Sequence, residues 1–433
     1  MVNVIFLIFY LISIFFFTGE SLYYILIFQC LVCIVKSLKQ KNYITPIFTF
    51  YIGVIITNLA NLSLIGQVAN HNIKAYNYIV PRYIDDAVKL WCVSCTLIII
   101  GYDLFSKRSF ASIAVIVTKK QNLKIIFGIL VGINLLRISG GTVRLNGSGV
   151  FKIIGLLNMV GIMFFARLWS KDNIKTYRNY ALTLYVLQTY VALLTAFLRS
   201  DLIIPSFCLF LGYFIGKGHI KYVFSYRILP FILIVVLYSS TFSSLQTNRS
   251  NFINAFYETS APIEKSTENS TALLDRNANL AQLTNIVKLV KQNGFYEGKA
   301  SAPLVLALIP RFIWPDKPVI AIGAWFALEI GAAYKADNGR ANNSINMTLP
   351  GELYLDFGWT GLVLGSLLMG AFIAALWNAT KFYESEYNIT GTLFGGYLFF
   401  LSVFGFAGDL QILITLVSTY LMFYLIKKVI VRL

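Results

Sequence analysis

Long apolar runs alternate with short polar breaks along almost the whole chain. Twelve runs are readable, at 4–18, 20–35, 44–66, 87–104, 123–138, 150–167, 180–198, 202–216, 228–244, 357–377, 391–407 and 410–426. A helix needs about 20 apolar residues to cross the hydrocarbon core of a bilayer. The pattern therefore predicts an all-α polytopic membrane protein with about 12 transmembrane helices, residues 1–433 forming a single integral membrane domain. The first run has no basic residues ahead of it and no small-residue cleavage site, so a retained helix is expected rather than a signal peptide.

One break departs from the rhythm. Residues 245–356 form a single large loop between the ninth and tenth runs, and loops of this length generally carry function. It opens on a polar stretch, 246–270. An amphipathic helix is expected over 271–291, with Leu273, Leu280, Leu283, Val287 and Val290 on one face and Asn293-Gly294 as its stop. The string Pro310-Arg311-Phe312-Ile313-Trp314-Pro315-Asp316-Lys317-Pro318 forbids a regular helix and sets an extended course. The apolar stretch 319–334 is expected as a re-entrant or interfacial helix, because a full crossing there would put the Lys427-Lys428 tail on the wrong side. Gly358, Gly361, Gly365 and Gly370 then line the start of the tenth run, a spacing suited to close helix packing.

Composition narrows the class. The chain is 57% hydrophobic and only 13% charged, against about 25% charged in soluble domains, and its mean hydropathy is +0.70. A soluble enzyme, a nucleic-acid-binding domain and a disordered chain are all excluded. The net charge of +17 invites a nucleic-acid reading, but its distribution argues for membrane topology. Nineteen Lys and Arg residues fall in the loops of one side and seven in the short loops of the other. By the positive-inside rule the rich side is cytoplasmic, both termini are inside, and 245–356 is extracytoplasmic. The excess of charge faces anionic lipid.

Cys30, Cys33, Cys92, Cys95 and Cys208 all lie in apolar runs. The two C-x-x-C spacings have no His or further Cys nearby, so buried small apolar residues are expected, not a zinc site.

Four elements of the large loop carry a resemblance. They are Asp275-Arg276 in the amphipathic stretch, Tyr296-Glu297-Gly298, the string Pro310-Arg311-x-x-Trp314-Pro315-x-Lys317-Pro318, and Gly351-Glu352-x-Tyr354 with Phe357-Gly358 and Gly361. In this order they resemble the loop of the bacterial oligosaccharide repeat-unit polymerases, the Wzy family, and cover about a quarter of the chain. The resemblance implies a glycosyltransferase of the bacterial cytoplasmic membrane. Its substrate would be an undecaprenyl-pyrophosphate-linked oligosaccharide and its product O-antigen, capsule or a related polysaccharide. A chain-length regulator and a flippase of the same pathway are the implied protein partners, with the lipid bilayer around it and no nucleic acid.

That chemistry asks for stabilisation of a departing pyrophosphate, by Mg²⁺ on carboxylates or by arginine. No Asp-x-Asp pair occurs in an outer loop, whereas Arg82, Arg137, Arg144, Arg199, Arg249, Arg276, Arg311 and Arg340 all fall on the outer side. A metal-free, cofactor-free mechanism is expected, since Arg grips phosphate bidentately and keeps its charge. Arg311 and Arg199 are the candidate catalytic cations, and Glu352 is the candidate base. Arg276, Lys317, Arg137, Arg144, Arg340, Tyr354 and Trp314 are candidate substrate-binding residues. For Arg199 the competing reading is a membrane-edge anchor paired with Asp201, and for Glu352 an acid favoured by the helix dipole. Related O-antigen ligases carry a histidine in the large loop, and 245–356 contains none. A flippase for the same lipid-linked sugars would show repeated halves and short outer loops, and neither is present.

Overall fold

The computed structural model describes residues 11–12, 14, 16–39, 45–70, 79–116, 120–139, 149–194, 199–217, 278–302, 314, 322–335, 344–403 and 411–432. These residues are mostly helical and contain no strand, only an isolated bridge between Ile116 and Asn388. The helices are α1 (Glu20–Lys39), α2 (Pro46–Ala69), α3 (Ile84–Phe105), α4 (Lys120–Ser139), α5 (Gly149–Asp172) and α6 (Lys175–Leu194). They continue as α7 (Arg199–Lys217), α8 (Leu280–Asn293), α9 (Ile322–Glu329), α10 (Leu349–Thr380), α11 (Ile389–Val403) and α12 (Gln411–Arg432). A 3-10 turn, Pro81–Tyr83, leads into α3.

Among the described residues four helices are long and apolar enough to cross a membrane: Glu20–Lys39, Pro46–Ala69, Pro81–Phe105 and Leu349–Thr380. Ten of the twelve apolar runs coincide with helices. The run at 228–244 lies outside the described residues, and so does most of 4–18. All five cysteines are free and buried, as their apolar settings predict.

The chain folds as two compact units. The first comprises 1–111, 268–378 and 398–422. Its core joins Leu22, Leu26, Phe50, Val54, Trp91 and Ile98 from α1–α3 to Leu280, Leu283, Leu349 and Ile373. Gly101 of α3 lies on the backbone of Leu367 and Ala371, and Gly370 of α10 on Ile98, so α3 and α10 cross with their backbones touching. Any side chain at either position would push the pair apart.

The second unit comprises 112–267, 379–397 and 423–433. Phe127 of α4 stacks on Tyr180 of α6 with centroids 4.0 Å apart, and Phe165 of α5 meets both edge-on. Arg167, only 4% exposed, donates to Thr392 Oγ1 (2.8 Å) and to the Phe382 carbonyl (3.2 Å). Nearby, Lys171 pairs with Glu386 at 3.2 Å and the Tyr387 hydroxyl donates to Asp172 at 2.8 Å. That hydrogen bond, ahead of burial, pushes the Tyr387 phenol up to about 12. Burial raises the Glu386 carboxyl, but its own backbone N–H and Lys171 outweigh this and leave it below the usual range.

Candidate functional site

The site region belongs to the first unit and is built by α8, the segment 294–302, α9 and the start of α10. α8 forms where its apolar face is expected: Leu280, Leu283, Val287 and Val290 are buried, and it stops at Gly294, whose φ is +78°. The predicted first turns at 271–277 lie outside the described residues. The N-terminus of α8 is received by a side chain from α2. Asn61 Oδ1 accepts the backbone N–H groups of Asn279 (2.9 Å) and Leu280 (3.1 Å), while Asn61 Nδ2 donates to Asn279 Oδ1 (2.9 Å). Asn61 is fully buried. An amide inside an apolar helix is stabilised there because it meets donors that would otherwise have no partner.

α10 is two helices rather than one. Thr348 starts the first, its Oγ1 accepting the N–H of Gly351 at 3.3 Å, with Pro350 in the opening turn. Gly358, at φ +63° and ψ −150°, breaks the helix. Residues 349–357 then lie folded against the beginning of 359–380. The Leu353 carbonyl sits 2.7 Å from where a Gly361 Cβ would stand, and the Leu353 side chain is packed on Gly365. In an unbroken helix Leu353 and Gly365 would be about 18 Å apart. The glycine series predicted for helix packing thus divides its work: Gly361 and Gly365 admit the folded-back arm, and Gly370 admits α3.

A break frees carbonyls that must find donors. Here the segment after α8 supplies them. Tyr296 N–H donates to the Leu355 carbonyl and Glu297 N–H to that of Asp356, both at 3.0 Å. Asp356, 1% exposed, accepts in turn from the N–H groups of Ala300 (3.1 Å) and Ser301 (2.8 Å) and from the Ser301 hydroxyl. The rings interlock as well. Phe295 lies on Gly358, and Phe357 lies 3.2 Å from where a Gly298 Cβ would stand. Tyr354 meets Phe295 and Trp359 edge-on at 5.9 and 5.7 Å. The elements Tyr296-Glu297-Gly298 and Gly351-Glu352-x-Tyr354/Phe357-Gly358/Gly361, more than fifty residues apart in sequence, are therefore one knot.

Of the predicted site residues, the structure places Glu352 and Tyr354 together in this knot, both buried, at 3% and 7% exposure. Glu352 stands in the first turn of the folded-back arm, a position that also favours an acid on dipole grounds. Trp314 is half-buried. Arg199 opens α7 and Arg137 lies in the last turn of α4, but their side chains are outside the described set. Arg276, Arg311, Lys317, Arg144 and Arg340 lie outside the described residues. In the stretch 319–334, the described residues form α9, with 8 residues, about 12 Å long. Among the described residues no group of three or more His, Cys, Asp or Glu side chains could hold a metal ion.

Two residues of this region were not singled out from sequence. Asp356 is the carboxylate that organises the knot, and its spacing four residues after Glu352 on a short helix was the available sign. Asn61 gives no sign in sequence, because its partner lies more than two hundred residues away. No family model, curated protein or solved structure matches the chain.

Proposed function

We propose that the chain is a membrane glycosyltransferase that polymerises undecaprenyl-pyrophosphate-linked oligosaccharide units at the outer face of the bacterial cytoplasmic membrane. The observation that carries this reading is the knot itself. Two of the four elements whose order resembles the repeat-unit polymerases fold into one hydrogen-bonded unit beside helices apolar enough to cross a membrane. In this reading about 12 helices span, both termini are cytoplasmic and 245–356 is outside.

The reaction moves a growing glycan from one lipid to another. The acceptor hydroxyl oxygen attacks the anomeric carbon of the donor, the bond from that carbon to the diphosphate oxygen breaks, and undecaprenyl pyrophosphate leaves with the electron pair. The hydroxyl proton passes to Glu352. Arg311 neutralises charge as it develops on the leaving group. Arg276, Lys317 and Arg340 hold the phosphates of the substrates, and Tyr354 and Trp314 bear on the sugars.

The test is the polysaccharide ladder made in cells whose own copy of this gene is deleted and replaced. Arg311→Ala should abolish long chains at normal protein abundance, a loss of about 10²–10³ in rate, with Arg311→Lys recovering only part. A full ladder without the gene overturns the polymerase reading. A ladder lost together with the outer-leaflet lipid-linked unit points instead to a flippase.

A further inference from the structure

The sequence Pro81-Arg82-Tyr83-Ile84 has the same form as Pro310-Arg311-Phe312-Ile313: proline, arginine, an aromatic, isoleucine. The second copy holds the candidate leaving-group arginine. The first is described in full. Val80 is extended (φ −99°, ψ 97°), Pro81 opens the 3-10 turn, and the Tyr83 N–H closes it on the Val80 carbonyl at 3.0 Å. The turn is tied to α8, because the Val80 N–H donates to Thr284 Oγ1 at 3.3 Å. The Tyr83 ring packs into the cluster that holds Tyr354, Leu355, Tyr296 and Trp325, so the turn stands on the rim of the knot.

Arg82 is exposed, and its guanidinium carbon lies 4.6 Å above the centre of the Tyr83 ring. Stacking of this kind fixes the plane of the guanidinium while leaving its N–H edges open. Two acids follow closely, yet neither neutralises it. Asp85 is turned toward Gly19, its Oδ1 3.3 Å from where a Cβ there would stand, and Asp86 lies within electrostatic reach of Tyr354. Among the described residues Arg82 has no carboxylate within ion-pair distance.

A pre-oriented guanidinium beside the knot, with no carboxylate partner among the described residues, suits a dianionic oxygen ligand. We infer that Arg82 binds the diphosphate of a lipid-linked substrate, specifically that of the acceptor, which is kept through the reaction while the donor's diphosphate leaves. This rests on the polymerase reading, in which two lipid diphosphates meet at one site.

The experiment uses the full-length protein in nanodiscs of zwitterionic lipid. Undecaprenyl pyrophosphate is the binding probe, and phosphatidylglycerol supplies a second arm. Arg82→Gln should weaken binding of undecaprenyl pyrophosphate about ten- to hundredfold, and Arg82→Lys should restore part of it. Tyr83→Leu, which removes the ring beneath the guanidinium, should weaken it a few-fold. With lipid-linked units as substrate, Arg82→Gln should raise the acceptor KM and leave kcat within about twofold. Unchanged binding by Arg82→Gln, at the thermal unfolding temperature of wild type, overturns the proposal. A loss confined to phosphatidylglycerol binding overturns it too, and makes Arg82 a headgroup anchor. Diphosphate binding through Arg82 in a protein that forms no polymer would sink the polymerase reading and leave the phosphate site standing.

Discussion

The Phe295 ring rests on Gly358, its Cζ 2.8 Å from the point where a Cβ would stand. One residue thus breaks a helix and floors an aromatic ring at the same time. Gly358→Ala must meet both a left-handed backbone angle and that ring. A loss of about 1–3 kcal/mol is expected. Because membrane proteins often unfold irreversibly, the half-life of the folded protein in detergent at fixed temperature is the right measure. A half-life equal to wild type would remove the break from the determinants of stability.

Asp356 has three donors aimed at it, two of them backbone groups. Asp356→Asn turns one of those oxygens into a donor and leaves a buried N–H facing another. The expected cost is about 1–3 kcal/mol, and Ser301→Ala should cost less because both backbone bonds persist. Thermal unfolding of the two variants side by side checks the order; a reversal would show that the hydroxyl, not the amides, holds the segment.

Asn61→Leu keeps the apolar packing of α2 and strips the acceptor from the start of α8. The cost of losing a helix cap is about 0.5–2 kcal/mol. Hydrogen exchange should quicken at amides 279–283 while those of α3 are unchanged. Equal protection at 279–283 in wild type and variant would show that α8 is held by its apolar face alone.

Tyr387 and Asp172 give a pH dependence with a definite sign. The folded phenol holds its proton up to about 12, above the ordinary value of 10.0. Between those two pH values the folded state binds more protons than the unfolded one, so stability falls as pH rises. The contribution of this bond is complete below the ordinary value and gone above about 12. Tyr387→Phe should abolish that part of the alkaline loss, and the ultraviolet phenolate titration should lose one component near pH 12. A wild-type titration without such a component would contradict the hydrogen bond.

The local parts of this structure were legible in the sequence. The α8 face and its glycine stop follow from helical period and left-handed preference, both properties of neighbouring residues. The fold-back of α10 is not legible, because residues 349–356 read as the end of the large loop and hydropathy does not show that they form a helical arm turned back on the run that follows. The spacing of Gly361 and Gly365 marks them as packing residues, but their partner, Leu353, lies before the run, on the other side of the break at Gly358. The same limit hid Asn61 and Asp356. Each is a polar residue whose reason is a backbone group distant in sequence, and no local pattern encodes such a meeting. Sequence alone does not separate Arg82 from the other outer arginines, because its seat over the Tyr83 ring is a matter of side-chain geometry.

The ties between the segment after α8 and the arm before Gly358 run largely through main-chain atoms: Tyr296 N–H to the Leu355 carbonyl, Glu297 N–H to the Asp356 carbonyl. Such ties do not depend on which side chains stand at 296, 297 or 355, although Tyr296 and Leu355 also pack in the cluster around them. Any apolar side chain that fills the same space would keep the ties at 296 and 355, whereas 356 and 358 are held to their residue types, one by its donors and the other by its backbone angle. Two chains could keep this architecture with very few identical residues. Their kinship would then be sought in an acid, one intervening residue and a glycine at a broken helix, not in any long stretch of shared sequence.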